Sequence, residues 1–126
     1  IAHSDGDILI HAVSDALLGA AGLGDIGHFF PDTDLRNKGI DSSKILVYVC
    51  NKLRKDSFLV VNVDATIVLQ TPKLSPYITS IKNSLSNLLG IQSSRVNIKA
   101  TTGENMGFVG REEGIACYAT VLIEKT

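Results

Sequence analysis

The sequence predicts an α+β fold, a mixed sheet with its helices packed on one face. Three observations carry that expectation. Apolar residues recur at helical spacing around Ile10–Ala21, Ile45–Leu53 and Ile78–Leu88. They alternate with a period of two along Phe58–Gln70, Arg95–Ala100 and Ile115–Ile123. These segments follow one another as helix, helix, strand, helix, strand, strand, and no repeat or low-complexity tract interrupts them.

Composition narrows the class further. A chain of 126 residues, 44% of them hydrophobic, makes one domain with a core of its own. That apolar share is high for so small a protein and fits a covered subunit interface. Lys and Arg number 12 against 13 Asp and Glu, for a net charge of -1, with no basic run, which argues against a nucleic-acid partner. The longest mostly apolar stretch, Ala16–Leu23, is too short to span a membrane, and no signal-peptide pattern is present. Cys50 and Cys117 stand alone in apolar runs, so free buried thiols in a reducing compartment are expected. The chain is therefore expected in the cytoplasm, or in a plastid-type organelle if the source is eukaryotic.

Ser4 or Asp5 is the expected cap of the first helix, with Asp7 in the first turn, where the helix dipole favours negative charge. Ile10, Val13, Leu17 and Ala20 or Ala21 form its buried stripe, and Gly22 and Gly24 end it. On a neighbouring face Asp7, His11 and Asp15 recur every fourth residue. Singly, the two aspartates fit a solvated face; His11 between them fits a metal ligand whose tautomer a carboxylate fixes. Gly24-Asp25-Ile26-Gly27 reads as a tight turn, and Phe29 to Asp34 as a loop that Pro31 keeps extended. Aspartates on such turns accept hydrogen bonds from sugar or polyol hydroxyls. Turn chemistry alone accounts for Asp34, whereas Asp25 between glycines suits ligand contact.

Residues 35–41 read as a polar linker. The second helix starts at Ser42 or Ser43 and turns Ile45, Leu46, Val49 and Leu53 inward, with Tyr48 and Cys50 as packing residues. In the first strand Val61, Val63, Ala65, Ile67 and Leu69 share one face, and Asn62, Asp64, Thr66 and Gln70 the other, which suits solvent or a second subunit. Ser75 as cap and Pro76 as first residue start the third helix, which carries Ile78, Ile81, Leu85 and Leu88 inward and stops at Gly90. Lys73, on the proline-stiffened loop before it, is a surface lysine or a contact for a polar ligand. Val96, Ile98 and Ala100 point inward from the second strand, which runs into Thr101–Arg111. Two hydroxyls, Glu104, several glycines and Arg111 suit a diphosphate with its divalent cation; read alone, the segment serves equally as a turn. The last strand turns Ile115, Cys117, Ala119, Val121 and Ile123 to one face.

Taken together, these blocks resemble the 2-C-methyl-D-erythritol 2,4-cyclodiphosphate synthase family of the non-mevalonate isoprenoid pathway. The resemblance rests on AHSDGD at Ala2–Asp7, HAVSDALLGA from His11, LGDIG at Leu23–Gly27 and FPDTD at Phe30–Asp34. It continues through NVDATI at Asn62–Ile67, Gln70 to Lys73 with Pro76, and NIKATT at Asn97–Thr102. Glu104, Gly107-Phe108, Gly110-Arg111 and EGIAC at Glu113–Cys117 complete it. So many blocks in one order are highly specific.

The resemblance implies a ferredoxin-like or chorismate-mutase-like fold with a mixed four-stranded sheet, assembled as a homotrimer with active sites between subunits. It implies a lyase-type reaction. The 2-phosphate of 4-diphosphocytidyl-2-C-methyl-D-erythritol 2-phosphate would attack the β-phosphorus, expel CMP and close the cyclic diphosphate. Positioning and charge neutralisation would carry that chemistry. By motif position His11 would bind zinc, and Glu104 a second metal, magnesium or manganese. His3 and Thr102 match positions assigned to transition-state stabilisation, and His3 and Ser4 would also touch substrate. Asp25, Ile26 and Gly27 would hold the ribose, and Phe30, Pro31, Asp32, Thr33 and Asp34 the methylerythritol region. Leu69, Gln70, Thr71, Pro72, Lys73, Leu74 and Ser75 would form the cytosine pocket. Thr101, Thr102, Gly103, Glu104 and Arg111 would serve the phosphates. Phe108 and Arg111, with Glu113, match positions lining a channel on the three-fold axis, where an isoprenoid diphosphate could sit.

Residues 1–126 would thus be a single synthase domain lacking the family's N-terminal β-hairpin, whose Asp-x-His pair supplies two zinc ligands. Gly103, Asn105 and Glu112 stand where the family usually has threonine, lysine and glycine. Two other classes remain at this point. In a metal-dependent phosphohydrolase water would attack and linear phosphates would result. In a non-catalytic trimeric small-ligand-binding module, His11→Ala and Glu104→Ala would leave ligand binding unchanged.

Overall fold

The computed structural model describes residues 3–37, 40–70, 73–112 and 114–126, with the backbone alone for residues 3–5 and Leu35. Helix α1 runs from His3 to Ala20. A short helix α2, Ile26–Phe29, follows, and then α3, Ser42–Lys55. Strand β1, Phe58–Val68, helix α4, Ile78–Leu89, and strand β2, Val96–Thr101, come next. The short helix α5, Gly107–Gly110, and strand β3, Ala116–Lys125, complete the order. No helix among the described residues is long and apolar enough to cross a membrane.

β1 lies at the centre of a mixed sheet, parallel to β2 and antiparallel to β3. Three strands make up this sheet among the described residues, where the resemblance implied four. α1 packs on β3 and α3, and α4 packs on β2 and α3, so the sheet carries the helices as one layer. Leu9, Val13, Leu17 and Leu18 of α1 are buried. Each contributes about 1.5–3 kcal/mol relative to an exposed side chain. That stripe is broader than the expected one because α1 packs against both β3 and α3, while Ala20 is exposed. Ile45, Leu46, Val49, Cys50 and Leu53 meet it from α3, Leu85 and Leu89 from α4, and Val63, Ala65 and Ile67 from β1.

Local signals fixed the ends. Gly90 closes α4 in the left-handed conformation (φ +69°), and Ile91 N–H returns to Ser86 C=O at 3.2 Å. At three helix starts the structure corrects the expectation. α1 begins at His3, so Ser4 and Asp5 stand inside its first turn. Asp41, rather than a serine, caps α3 by accepting from Ser43 N–H at 2.9 Å. Ser75 and Pro76 form a 3-10 turn, Ser75–Tyr77, ahead of α4, with no side-chain cap.

A bulge in β1 also changes the strand's parity. Val60 pairs with Ile123 and Asn62 with Leu122, leaving Val61 as an extra residue. Downstream, Val63, Ala65 and Ile67 point inward as expected; upstream, Val60 rather than Val61 packs on the core. β2 starts opposite Val63, so Phe58–Asn62 extends past it. There Arg95 Nη1 donates to Val61 C=O at 3.4 Å, and Asn62 Nδ2 donates to Arg95 C=O at 3.1 Å. Ala100, expected inward, is exposed at the open end of β2.

Candidate active site

Two clefts gather half of the expected site residues. The first, of about 190 Å³, lies where β1 and β2 end side by side, with Leu69 N–H bonded to Thr101 C=O at 3.0 Å. Leu69, Gln70, Lys73, Leu74 and Ser75 line it from one segment, and Ala100, Thr101 and Thr102 from the other. Leu74 is buried and anchors the loop, while Lys73 and Ser75 are exposed at its rim. Thr71 and Pro72 lie outside the described residues. The lining is largely apolar with hydroxyls at one side, which suits a flat heterocycle whose polar edge meets backbone and threonine groups.

The second cleft, of about 450 Å³, is lined by His11, Ile26, Gly27, Phe30, Asp32, Asn37, Ile40 and Ile45. Its walls are held by Asn37, which spacing did not assign, and by Tyr48, read from the sequence as a packing residue. Asn37 Nδ2 donates to Pro31 C=O at 2.9 Å, and the Tyr48 ring packs edge-on to Phe30, centroids 5.2 Å apart. Asp25 caps α2 by accepting from His28 N–H at 3.0 Å, so the expected tight turn is the start of a helix. Asp34 is engaged by Arg36, whose Nη2 lies 2.7 Å away. That hydrogen bond holds the carboxyl below the usual carboxylate range. Thr33 is exposed on the same loop.

The carboxylates that flank His11 in sequence take other roles. Asp7 accepts from Ser42 Oγ at 2.5 Å, and Asp15 accepts from Ile26 N–H at 2.8 Å. They fasten α1 to α3 and to α2, leaving His11 to face the cleft. Among the described residues no three His, Cys, Asp or Glu side chains converge on a metal position. The described groups therefore do not form a closed tetrahedral zinc shell. The side chains of His3 and Ser4 lie outside the described residues.

Glu104 sits on a turn after β2, where Glu104 (φ +51°) and Asn105 (φ +61°) both adopt the left-handed conformation. Glu104 N–H donates to Thr102 Oγ1 at 3.2 Å, and the exposed carboxylate is open to a cation. Gly103, half-buried, accepts from Met106 N–H at 2.9 Å, and a Cβ there would meet Gly110 N at 2.8 Å. Glu104, Phe108 and Arg111 line neither cleft; Phe108 is 52% exposed on α5, and Arg111 is exposed just after it. Burial pushes the Cys50 thiol up, against a smaller opposing effect of Arg54, which makes it a packing group.

Known proteins are similar to this chain along almost its whole length. The sequence profile of the YgbB family matches residues 1–124. The 2-C-methyl-D-erythritol 2,4-cyclodiphosphate synthase of Pseudomonas aeruginosa (strain UCBPP-PA14) is 55% identical over 123 residues, 98% of this chain and 78% of that protein. The Listeria monocytogenes enzyme of the same name (serotype 4a, strain HCC23) is 51% identical over 125 residues, 99% of this chain and 80% of its own length. Among solved structures, the CDP complex of IspF from Plasmodium falciparum aligns with a TM-score of 0.85 at 33% identity, over 100% of this chain and 76% of that one. With its profile matched almost end to end and relatives sharing half its residues, the chain belongs to the YgbB family, alongside the 2-C-methyl-D-erythritol 2,4-cyclodiphosphate synthases.

Proposed function

We propose that the chain converts 4-diphosphocytidyl-2-C-methyl-D-erythritol 2-phosphate to 2-C-methyl-D-erythritol 2,4-cyclodiphosphate and CMP. The observation that carries this reading is the first cleft, an apolar slot bordered by Lys73 and closed by Thr101 and Thr102. A cytosine fits such a slot, and its diphosphate would leave along the threonine side toward Glu104. In the reaction a 2-phosphate oxygen bonds to the β-phosphorus. The bond from that phosphorus to the bridging oxygen breaks, and CMP departs with the electron pair. No covalent enzyme intermediate is needed, so rate comes from folding the substrate back and offsetting its charge.

Each residue then has a task. Gln70, Lys73, Leu74 and Ser75, with Thr71 and Pro72, hold the base. Asp25, Ile26 and Gly27 hold the ribose. Phe30, Pro31, Asp32, Thr33 and Asp34 hold the methylerythritol end, Asp32 accepting from a hydroxyl. Thr101, Thr102, Gly103 and Arg111 orient phosphoryl oxygens, and Thr102 with His3 steadies the charge that builds on them. His11 would supply one zinc ligand and Glu104 one ligand for magnesium or manganese. Bound metals would polarise the phosphates.

The finer assembly belongs to the same proposal: a homotrimer on a four-stranded sheet, with an axial channel beside Phe108 that suits an isoprenoid diphosphate. Exposed Leu59, Tyr118 and Leu122 on the helix-free side of the sheet support a covering partner. Product analysis tests the activity. Labelled substrate is expected to yield CMP and a cyclic diphosphate in equal amounts; linear phosphates would mean that water attacks instead. Glu104→Ala is expected to lower kcat by about 10²-fold or more, the scale of losing a key electrostatic contact.

A further inference from the structure

We infer that Gln70 and Asn105 form a positioning pair that couples occupancy of the first cleft to the turn carrying Glu104. The two residues are 35 positions apart and meet twice. Gln70 Nε2 donates to Asn105 Oδ1 at 3.2 Å, and Asn105 N–H donates to Gln70 Oε1 at 3.3 Å. One side-chain amide thus grips both the side chain and the backbone of a single residue.

That residue needs gripping. Glu104 and Asn105 are consecutive left-handed residues, a conformation that side chains other than glycine hold only when their surroundings enforce it. Asn is among the residues that tolerate it best. On the far side α5 presses against the same turn: a Cβ on Gly110 would lie 2.2 Å from the Asn105 carbonyl carbon. The turn is therefore clamped between α5 and the Gln70 amide. A further tie is Thr102 Oγ1, which accepts from Glu104 N–H.

Gln70 and Thr102 both line the first cleft. Among the described residues, the side-chain bonds to the Glu104 and Asn105 amides therefore come from that cleft's wall. A ligand that orders Gln70 and Thr102 also narrows the motion of the turn, and slack in the turn loosens the wall. Through this clasp the base end of a ligand sets where the Glu104 carboxylate stands, without touching it. The choice of a cytidine diphosphate as that ligand rests on the proposed function; the clasp itself does not.

Hydrogen exchange of the peptide spanning 102–110, followed by mass spectrometry on the full protein, separates the two. Gln70→Ala is expected to speed exchange in this turn about tenfold without ligand, the equivalent of about one hydrogen bond. Gln70→Glu, which keeps an acceptor facing Asn105 N–H, is expected to restore most of the protection. Asn105→Gly keeps the left-handed backbone but removes the side-chain partner. Combined with Gln70→Ala it is expected to add little, because the two residues act as one device. CDP is expected to slow exchange of the turn in the unsubstituted protein, and in Gln70→Ala to bind without that slowing. Lys73→Ala, a rim change with no bond to the turn, is expected to weaken CDP while leaving the turn's exchange as it was. Unchanged exchange in Gln70→Ala, additive effects, or equal CDP protection with and without Gln70 would each overturn the inference. Should CDP fail to bind the unsubstituted protein, the proposed function falls, and the ligand-free comparison still judges the clasp.

Discussion

Glu112 holds φ at +61°, in the region where a β-carbon crowds the neighbouring carbonyl. Glycine meets no such crowding, so Glu112→Gly is expected to stabilise the fold by up to about 1 kcal/mol, read from the urea midpoint. The residue scale also sets an acid dependence. Lys99 Nζ, 2.8 Å from Asp64 Oδ2, and then Asn97 hold the Asp64 carboxyl below its usual range. A depressed folded value means stability present above the ordinary carboxylate range and lost as pH falls through the depressed one. Asp64→Asn is therefore expected to flatten the acid limb of a stability-against-pH curve slightly, the pair being well exposed. Single residues were unevenly legible in the sequence. The spacing of Asp7, His11 and Asp15 put them along one helix face, but their partners, Ser42 and the Ile26 amide, come from other elements. Helical periodicity carries no information about what a face will meet.

At the scale of elements, local chemistry spoke most clearly where one residue type has one use. Gly90 ending α4 is such a case, and the apolar stripe of α3 is another. Starts were less legible because Asp41, Ser42 and Ser43 are all good caps in succession, and only the folded geometry selects Asp41. Asp41→Ala is expected to cost about 1 kcal/mol in thermal or urea denaturation. The β1 bulge left no trace in the sequence, since Leu59, Val60 and Val61 are all apolar and any parity fits them. The first cleft was less legible, since spacing alone left Lys73 as a surface lysine or a ligand contact. Only the family resemblance grouped Leu69 and Gln70 with Lys73, Leu74 and Ser75, which line it together with Ala100, Thr101 and Thr102. Tyr48 packs as its place on the second helix suggested, whereas Asn37, which also holds the other cleft, looked ordinary because its role depends on a contact made across a loop.

At the scale of the molecule, the expected site residues that are described lie mainly in the first cleft, in the His11 cleft and on the Glu104 turn. An assembly that joins these parts from neighbouring copies would complete one site from several. Tyr118 and Leu122, 66% and 59% exposed, stand on the side of the sheet free of helices. Paired substitution Tyr118→Glu and Leu122→Glu is expected to give a smaller species in sedimentation, with unchanged helical signal and no CMP release. The excess of apolar residues left open which of them would be exposed; that Tyr118 and Leu122 are exposed followed only from the fold.

Arg95 and Asn62 have a bearing beyond the domain itself. Where β2 stops short, a bare stretch of the central strand would offer carbonyls and amides to any passing polypeptide, the template from which fibrous stacking begins. There the Arg95 guanidinium occupies the Val61 carbonyl, and the Asn62 carboxamide ties the strand to Arg95 C=O. An edge so occupied is a poorer template for a second strand.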